Sequence, residues 1–162
     1  MKANIYAERV FLRQLTADDT DDLMKTYGNP LTMEFGSDPV FTSTAMVSQL
    51  LKSMENFAQN HASYEWGIVT QDTGEVIGTC GFHSFSPCRT ECEVGCLLNS
   101  EFWRQGYMSE ALSVLFSHAK SLGVERLFAS IDPNNYRSIG LFCKLGFTID
   151  HQTSRFSLCL GR

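Results

Sequence analysis

Phe102-Trp103-Arg104-Gln105-Gly106-Tyr107-Met108-Ser109-Glu110-Ala111-Leu112 is the stretch that decides how this chain folds. Ahead of it, residues 94–98 (Val-Gly-Cys-Leu-Leu) form an apolar, strand-like run. Behind it, Met108, Ala111, Leu112, Leu115, Phe116 and Ala119 recur at helical spacing and predict one apolar helix face, with Gly123 as its C-cap. A strand, a short glycine turn and a helix start make an anion site. The first N–H groups of a helix have no intrahelical partner, and the helix dipole adds positive potential there. A phosphorylated cofactor suits such a turn. A simple chain reversal is the other role of a glycine before a helix.

The stretch is neither a Walker loop, G-x-x-x-x-G-K-[ST], nor a dinucleotide loop, G-x-G-x-x-G. A second signal lies downstream, in Asp132-Pro133-Asn134-Asn135-Tyr136-Arg137-Ser138 and in Lys144-Leu145-Gly146-Phe147. Together the two segments resemble the GNAT superfamily of acetyl-CoA-dependent N-acetyltransferases. The chain is most similar to the ribosomal-protein N-terminal (RimJ/RimL-type) branch. That branch carries an aromatic-Trp-x-x-Gly-Tyr-x-x-Glu-Ala-Leu element, matched by Phe102, Trp103, Gly106, Tyr107, Glu110, Ala111 and Leu112. Its Asn-x-x-Ser and Lys-Leu-Gly-Phe elements are matched by Asn135, Ser138 and residues 144–147, and its first strand by Glu8-Arg9-Val10-Phe11-Leu12-Arg13.

Composition agrees with a globular enzyme. The 162 residues predict one domain over 1–162, 43% of it hydrophobic and 19% charged. A net charge of −5 argues against binding a nucleic-acid backbone, which calls for a basic stripe; it suits a cationic amine, or simply solubility. The first residues lack the apolar core of a signal peptide, and no apolar run reaches membrane-spanning length, so a soluble cytoplasmic protein is expected. Six cysteines invite a metal reading, but no C-x-x-C pair or nearby histidine completes a zinc set, so no metal is expected. Cys80, Cys143 and Cys159 sit in apolar contexts and read as buried thiols.

Periodicity and turn chemistry place strands at 9–15, 64–69, 75–85, 91–99, 126–131, 147–150 and 155–160. Thr16-Ala17-Asp18-Asp19 reads as a capping box opening a helix that Asn29-Pro30 ends. A second helix begins near 41–44, with Val47, Leu50, Leu51, Met54 and Phe57 on one face. A third follows Gly106, and a fourth spans 135–145 before Gly146. The result is an α/β fold: a mixed, mostly antiparallel sheet of six or seven strands with helices on both faces. In the resembling family, segment 28–60 builds the acceptor wall.

Acetyl transfer from a thioester needs a neutral amine, a donor for the developing oxyanion and a proton for the leaving thiolate. A free α-amine titrates at about pH 8, so a weak base or a water relay suffices. Alternation puts Glu91, Glu93, Gly95 and Leu97 on one strand face, where the small Gly95 leaves room for substrate. Glu93 is the candidate base, or else a salt-bridged strand residue; Glu91 and His83 are the alternatives. The resemblance implies acetyl-CoA as cosubstrate. It implies backbone contacts to the pantetheine arm from residues 95–99, including Leu97, Leu98 and Asn99. It implies pyrophosphate contacts from Arg104, Gln105, Gly106, Tyr107, Met108 and Ser109, with Arg104 otherwise a surface residue. Asn135, Ser138 and Phe142 complete the implied cofactor contacts, although Asn135 also suits a helix cap.

Three positions depart from the superfamily pattern. Many members carry a tyrosine at the position of Phe142 to protonate the thiolate. Phe142 lacks that hydroxyl, as the N-terminal branch often does, so the proton falls to Ser138 or water. Trp103 replaces a usual Gln or Arg and fits the branch. Met108 replaces a small residue. The acceptor is then a protein N-terminus or a small amine (a polyamine, amino acid or antibiotic), with the protein a monomer or homodimer. A non-catalytic acyl-CoA-binding module and a purely structural α/β domain are the competing classes.

Overall fold

The computed structural model describes residues 3–151 and 153–161; Met1, Lys2, Gln152 and Arg162, and with them the ends of the 1–162 span, lie outside the described residues. In chain order the elements are β1 (Ile5–Tyr6), β2 (Val10–Arg13), α1 (Thr20–Tyr27), α2 (Thr44–Gln59), β3 (Tyr64–Thr70), β4 (Val76–His83), β5 (Glu91–Leu98), α3 (Tyr107–Ser121), β6 (Arg126–Ala129), α4 (Tyr136–Lys144), β7 (Thr148–Asp150) and β8 (Arg155–Cys159). Short 3₁₀ turns at Ala17–Asp19 and Ser100–Phe102 precede α1 and α3.

The strands form one sheet in the order β1-β2-β3-β4-β5-β6-β8-β7. Every neighbouring pair is antiparallel except β5 and β6, which run parallel. The sheet has eight strands among the described residues, not six or seven. The extra one, β1, pairs only Ile5 with Leu12 and Tyr6 with Phe11, too short a run for alternation to reveal. The first, third and fifth segments read as strands from sequence pair over shorter spans than their apolar runs, because pairing stops where the chain turns away. The helix read from Thr16 begins as a 3₁₀ turn and becomes α-helical at Thr20.

Helices cover both faces. On one, α3 buries Met108, Ala111, Leu112, Leu115, Phe116 and Ala119 against Val10, Leu12, Trp66, Ile68 and Ile77. On the other, Leu23 and Tyr27 of α1 and Val47 of α2 pack with Leu15, Val69 and Val76. Gly123 ends α3 at φ +86°, with the Val124 N–H donating to the Ala119 carbonyl at 3.1 Å and the Gly123 N–H to the Lys120 carbonyl at 3.0 Å. This is the Schellman arrangement, in which only glycine takes the left-handed position without strain. Gly146 repeats it after α4, where the Phe147 N–H reaches the Phe142 carbonyl at 3.0 Å.

Cys80 and Cys92 are buried free thiols, but Cys143 and Cys159 are exposed, which corrects their reading as core residues. Both lie among apolar neighbours in sequence yet face outward, because helix and strand periodicity turn the adjacent residues Phe142 and Leu158 inward instead.

Before α1, Asp19 binds the rest of the turn. The Arg13 guanidinium donates to both its carboxylate oxygens, at 2.9 and 2.7 Å, and the Thr16 N–H donates to it at 2.8 Å. Burial opposes the charge, but these donors outweigh it and hold the carboxyl below its ordinary value of 3.8. A depressed carboxylate stabilises the fold above its unfolded value and loses that contribution as pH falls through the lower folded value. Asp19→Asn should therefore cost on the order of 1–3 kcal/mol near neutrality. In urea titrations across pH, the gap to the parent protein should stay constant above about pH 5 and close at more acidic pH.

Candidate active site

The site begins where two strands part. β5 and β6 pair in parallel through Glu91–Arg126, Cys92–Leu127 and Glu93–Phe128, and no further. Beyond Glu93, residues 94–98 keep β4 on one side and, among the described residues, have no strand on the other. Two cavities open beside that free edge. Phe35, Gly36, Cys96 and Leu97 line both, so they meet at a shared wall.

The smaller cavity, about 350 Å³, lies at the start of α3 and α4. Leu97, Leu98, Arg104, Gly106, Tyr107, Met108, Ser109, Asn135 and Ser138 line it. Gly106 takes φ +83° as the N-cap of α3, and Arg104 is also left-handed at φ +60°. The first helical bond runs from the Glu110 N–H to the Gly106 carbonyl at 3.1 Å, which leaves the N–H groups of Tyr107, Met108 and Ser109 without helical partners. The Asn135 side chain accepts from the Ser138 N–H at 3.2 Å, so Asn135 caps α4 and lines the cavity at once.

Three of the residues implied as cofactor contacts lie away from this lining. Phe142 is buried in the core with its ring 4.9 Å from that of Phe147. Asn99 is buried, and its side chain accepts from the Glu101 N–H at 3.2 Å to cap the 3₁₀ turn. The Gln105 side chain turns back to the Glu101 carbonyl at 3.1 Å. In each case a local helix or turn contact claims the side chain.

Two further cations, Arg137 and Lys144, line the same cavity. Arg137 stacks on Trp103, its guanidinium carbon 3.2 Å from the ring centroid. Burial pushes the Arg137 guanidinium down from its ordinary value, Glu34 pulls it back up and Arg104 pushes it down; it remains a cation. The sequence held the signal for this group: Arg137, Leu141 and Lys144 fall at i, i+4 and i+7 of α4, one stripe of the helix.

A residue remote in sequence braces the turn. The Arg9 side chain donates to Glu110 Oε2 at 2.8 Å and to the Gln105 carbonyl at 2.9 Å, and its guanidinium lies 4.4 Å from the Tyr107 ring centroid. The Arg9 N–H also donates to Glu110 Oε1. Burial works against the Glu110 charge, but the Arg9 donors hold its carboxyl below the ordinary value. Trp103 ties the turn to β5 through an indole N–H bond of 2.7 Å to the Leu98 carbonyl.

The larger cavity, about 810 Å³, lies over the opposite part of the sheet. Its floor is Thr79, Gly81, His83, Glu93, Gly95 and Leu97 from β4 and β5. Its walls come from segment 33–41 and α2. Asn29 and Thr32 anchor that segment, through bonds of 2.8 Å to the Ser100 hydroxyl and 3.0 Å from the Ser100 N–H. Glu93 lines the cavity and is salt-bridged, accepting from Arg155 at 3.2 Å. Its cross-strand partner His83 also faces the cavity, with Nδ1 2.9 Å from the Ser84 hydroxyl. Glu91 lies outside the lining, near Arg126 at 3.8 Å.

Residues 9–148 match the family model described as an acetyltransferase (GNAT) domain. The chain belongs to the GNAT acetyltransferase family. This GNAT chain is 32% identical over 145 residues to YoaA of Bacillus subtilis (strain 168), described as an uncharacterized N-acetyltransferase, covering 86% of this chain and 80% of the relative. Its fold is similar to RimL, a ribosomal L7/L12 α-N-protein acetyltransferase solved with coenzyme A (TM-score 0.84, 19% identity, 97% of this chain and 98% of that one). It is also similar to the microcin C7 self-immunity acetyltransferase MccE, solved with acetyl-CoA and AMP (TM-score 0.82, 14% identity, 94% of this chain and 93% of that one). The chain is an N-acetyltransferase and its cosubstrate is acetyl-CoA.

The smaller cavity fits that cosubstrate. Unpartnered helix N–H groups and three cations suit phosphates, and the free edge of β5 offers backbone groups to an amide-bearing arm. Among the described residues no helix is long and apolar enough to cross a membrane, and no group of three or more His, Cys, Asp and Glu side chains is gathered as for a metal.

Releasing the brace should separate turn geometry from the rest of the fold. Arg9→Ala removes the side-chain donor to Glu110 Oε2 and to the Gln105 carbonyl while the main-chain bond to Glu110 remains, and it should cost on the order of 1–3 kcal/mol in chemical unfolding. It should also shrink the rise in Tm that coenzyme A produces. A full coenzyme A shift in the variant would show that the turn holds its shape without Arg9.

Proposed function

We propose that this enzyme acetylates the α-amine of a protein or peptide N-terminus, acting as one cytoplasmic domain spanning 1–162. The observation that carries the reading is the larger cavity, about 810 Å³ and walled on one side by a segment outside the sheet, joined to the donor cleft at Cys96 and Leu97. A chain end has room to enter it. The family likeness to RimL, named for an α-N-protein substrate, supports the same class. A small-molecule amine is the second reading, favoured by MccE, whose fold is similar and which was solved with AMP. The meeting of two cavities supports catalysis over a module that only binds an acyl-CoA.

Acetyl-CoA supplies an activated acetyl thioester. In the proposed mechanism the N–H groups of Tyr107, Met108 and Ser109 hold the pyrophosphate, and Arg104, Arg137 and Lys144 add charge-assisted contacts. Asn99 donates its own N–H to the Ile77 carbonyl, so the backbone groups on the free edge within residues 95–98 orient the acyl arm and supply the oxyanion donor. Glu93 receives the amine proton, directly or through water. Its bond to Arg155 fixes the carboxylate. Gly95 leaves space beside it, since a Cβ there would lie no closer than 3.6 Å to the His83 ring. The Ser138 hydroxyl gives a proton to the leaving sulfur.

The test of the acceptor is a coenzyme A release assay over N-terminal peptides, polyamines and aminoglycosides. Peptides should turn over best; turnover confined to small amines would replace the N-terminal reading by the second one. Glu93→Gln should retain the coenzyme A melting shift and lower kcat about a hundredfold, most at acidic pH where the amine is protonated. Parent-like rates across the pH range would transfer the role to His83 or solvent. Ser138→Ala should lower kcat about a hundredfold with unchanged fold, and Phe142→Tyr should fail to rescue it because that position faces the core. A change confined to melting temperature would leave Ser138 a packing residue and assign the proton to water.

A further inference from the structure

Charge is divided sharply between the two cavities. Among the described residues, the side chains lining the donor cleft include Arg104, Arg137 and Lys144 and no carboxylate. Those lining the larger cavity include Asp38, Glu65 and Glu93 and no lysine or arginine. Arg155 reaches Glu93 at 3.2 Å from β8, outside that lining. The division follows from the elements themselves: α4 and the Gly106 turn carry the bases, while β3, β5 and the 33–41 segment carry the acids.

Beside neutral polar side chains such as Gln49, Ser53 and Thr79, the larger cavity carries an adaptable apolar wall. Met46, Leu50, Met54 and Phe57 face it from α2, and Phe35 and Met33 from the preceding segment. Phe57 is 53% exposed although it lines the cavity, an apolar surface left open to solvent. Methionines give such a wall freedom to repack around different apolar groups. A carboxylate entering here meets like charge and an apolar wall together, whereas an ammonium meets opposite charge.

From this division we infer the acceptor's class within the proposed function: a cationic N-terminus followed by uncharged apolar residues, with acidic residues in the first positions excluded. The inference rests on the N-terminal reading above. In the reaction the amine nitrogen forms the bond to the acetyl carbon as the C–S bond breaks; of the two protons the ammonium loses, one ends on the coenzyme A sulfur and the other in solvent.

The experiment measures kcat/KM with C-terminally amidated peptides that share one sequence except at positions two and three, which are Leu-Leu, Lys-Lys or Asp-Asp. The Leu-Leu peptide should exceed the Asp-Asp peptide by about tenfold or more, the ratio should fall with added salt, and the Lys-Lys peptide should lie above Asp-Asp. Asp38→Lys changes an exposed wall residue outside the proposed machinery and should narrow the gap between Leu-Leu and Asp-Asp. An Asp-Asp peptide within about twofold of Leu-Leu at low salt, or a gap unmoved by Asp38→Lys, overturns the inference. If no peptide reacts but phenethylamine does, the N-terminal reading falls and the charge rule is judged separately. Preference for phenethylamine over phenylalanine, whose carboxylate adjoins the amine, then upholds the charge rule, and parity overturns it.

Discussion

Everything at the site depends on the separation of β5 from β6. Two parallel strands share three residue pairs and then diverge, leaving the backbone of residues 94–98 paired on one side only. An unpaired strand edge is costly to bury and hazardous to expose, and proteins normally cover or blunt it. Here the gap is flanked by the starts of α3 and α4, whose N-termini also carry unpaired donors. The fold gathers unsatisfied backbone groups from three elements into one place. A ligand rich in phosphate and amide groups has the chemistry to pair with them, and acetyl-CoA is such a ligand.

The Gly106 turn is held by a residue remote in the chain. Arg9 lies 101 positions from Glu110, yet its main chain and its side chain both bind that carboxylate. The two hold each other in place: Glu110 anchors β2 to α3, and Arg9 restrains the carbonyl of Gln105 beside the left-handed Gly106. A Cβ on Gly106 would come within 3.2 Å of the Arg9 guanidinium, so the close approach needs glycine for space as well as for φ. Pre-organising the turn in this way lowers the cost of ordering it when a ligand binds.

Glu93 is both a strand ion-pair partner and a residue of the larger cavity. Its ion pair with Arg155 joins β5 to the last hairpin across β6, and Arg155 also lies 4.3 Å from the Phe128 ring centroid on the strand between. The guanidinium holds the carboxylate in one orientation toward the cavity. The same contact that reads as an ordinary strand salt bridge therefore fixes the aim of a carboxylate that we propose as the base.

The elements were legible in the sequence because their signals are local. Every apolar position assigned to the α3 face is buried, both glycine caps stand where the helices end, and alternation put Glu93, Gly95 and Leu97 on the face that borders the larger cavity. Periodicity and turn chemistry depend on neighbours a few residues away, so a single chain displays them. The donor turn was readable for the same reason. What the sequence did not display are relations between distant segments: the two-residue β1, the Arg9 brace, the wall shared by Phe35, Gly36, Cys96 and Leu97, and the inward turn of Phe142. None of these has a period or a motif. They arise when the sheet brings together residues up to about a hundred positions apart, and only tertiary packing decides which side chains then face the gap and which face the core.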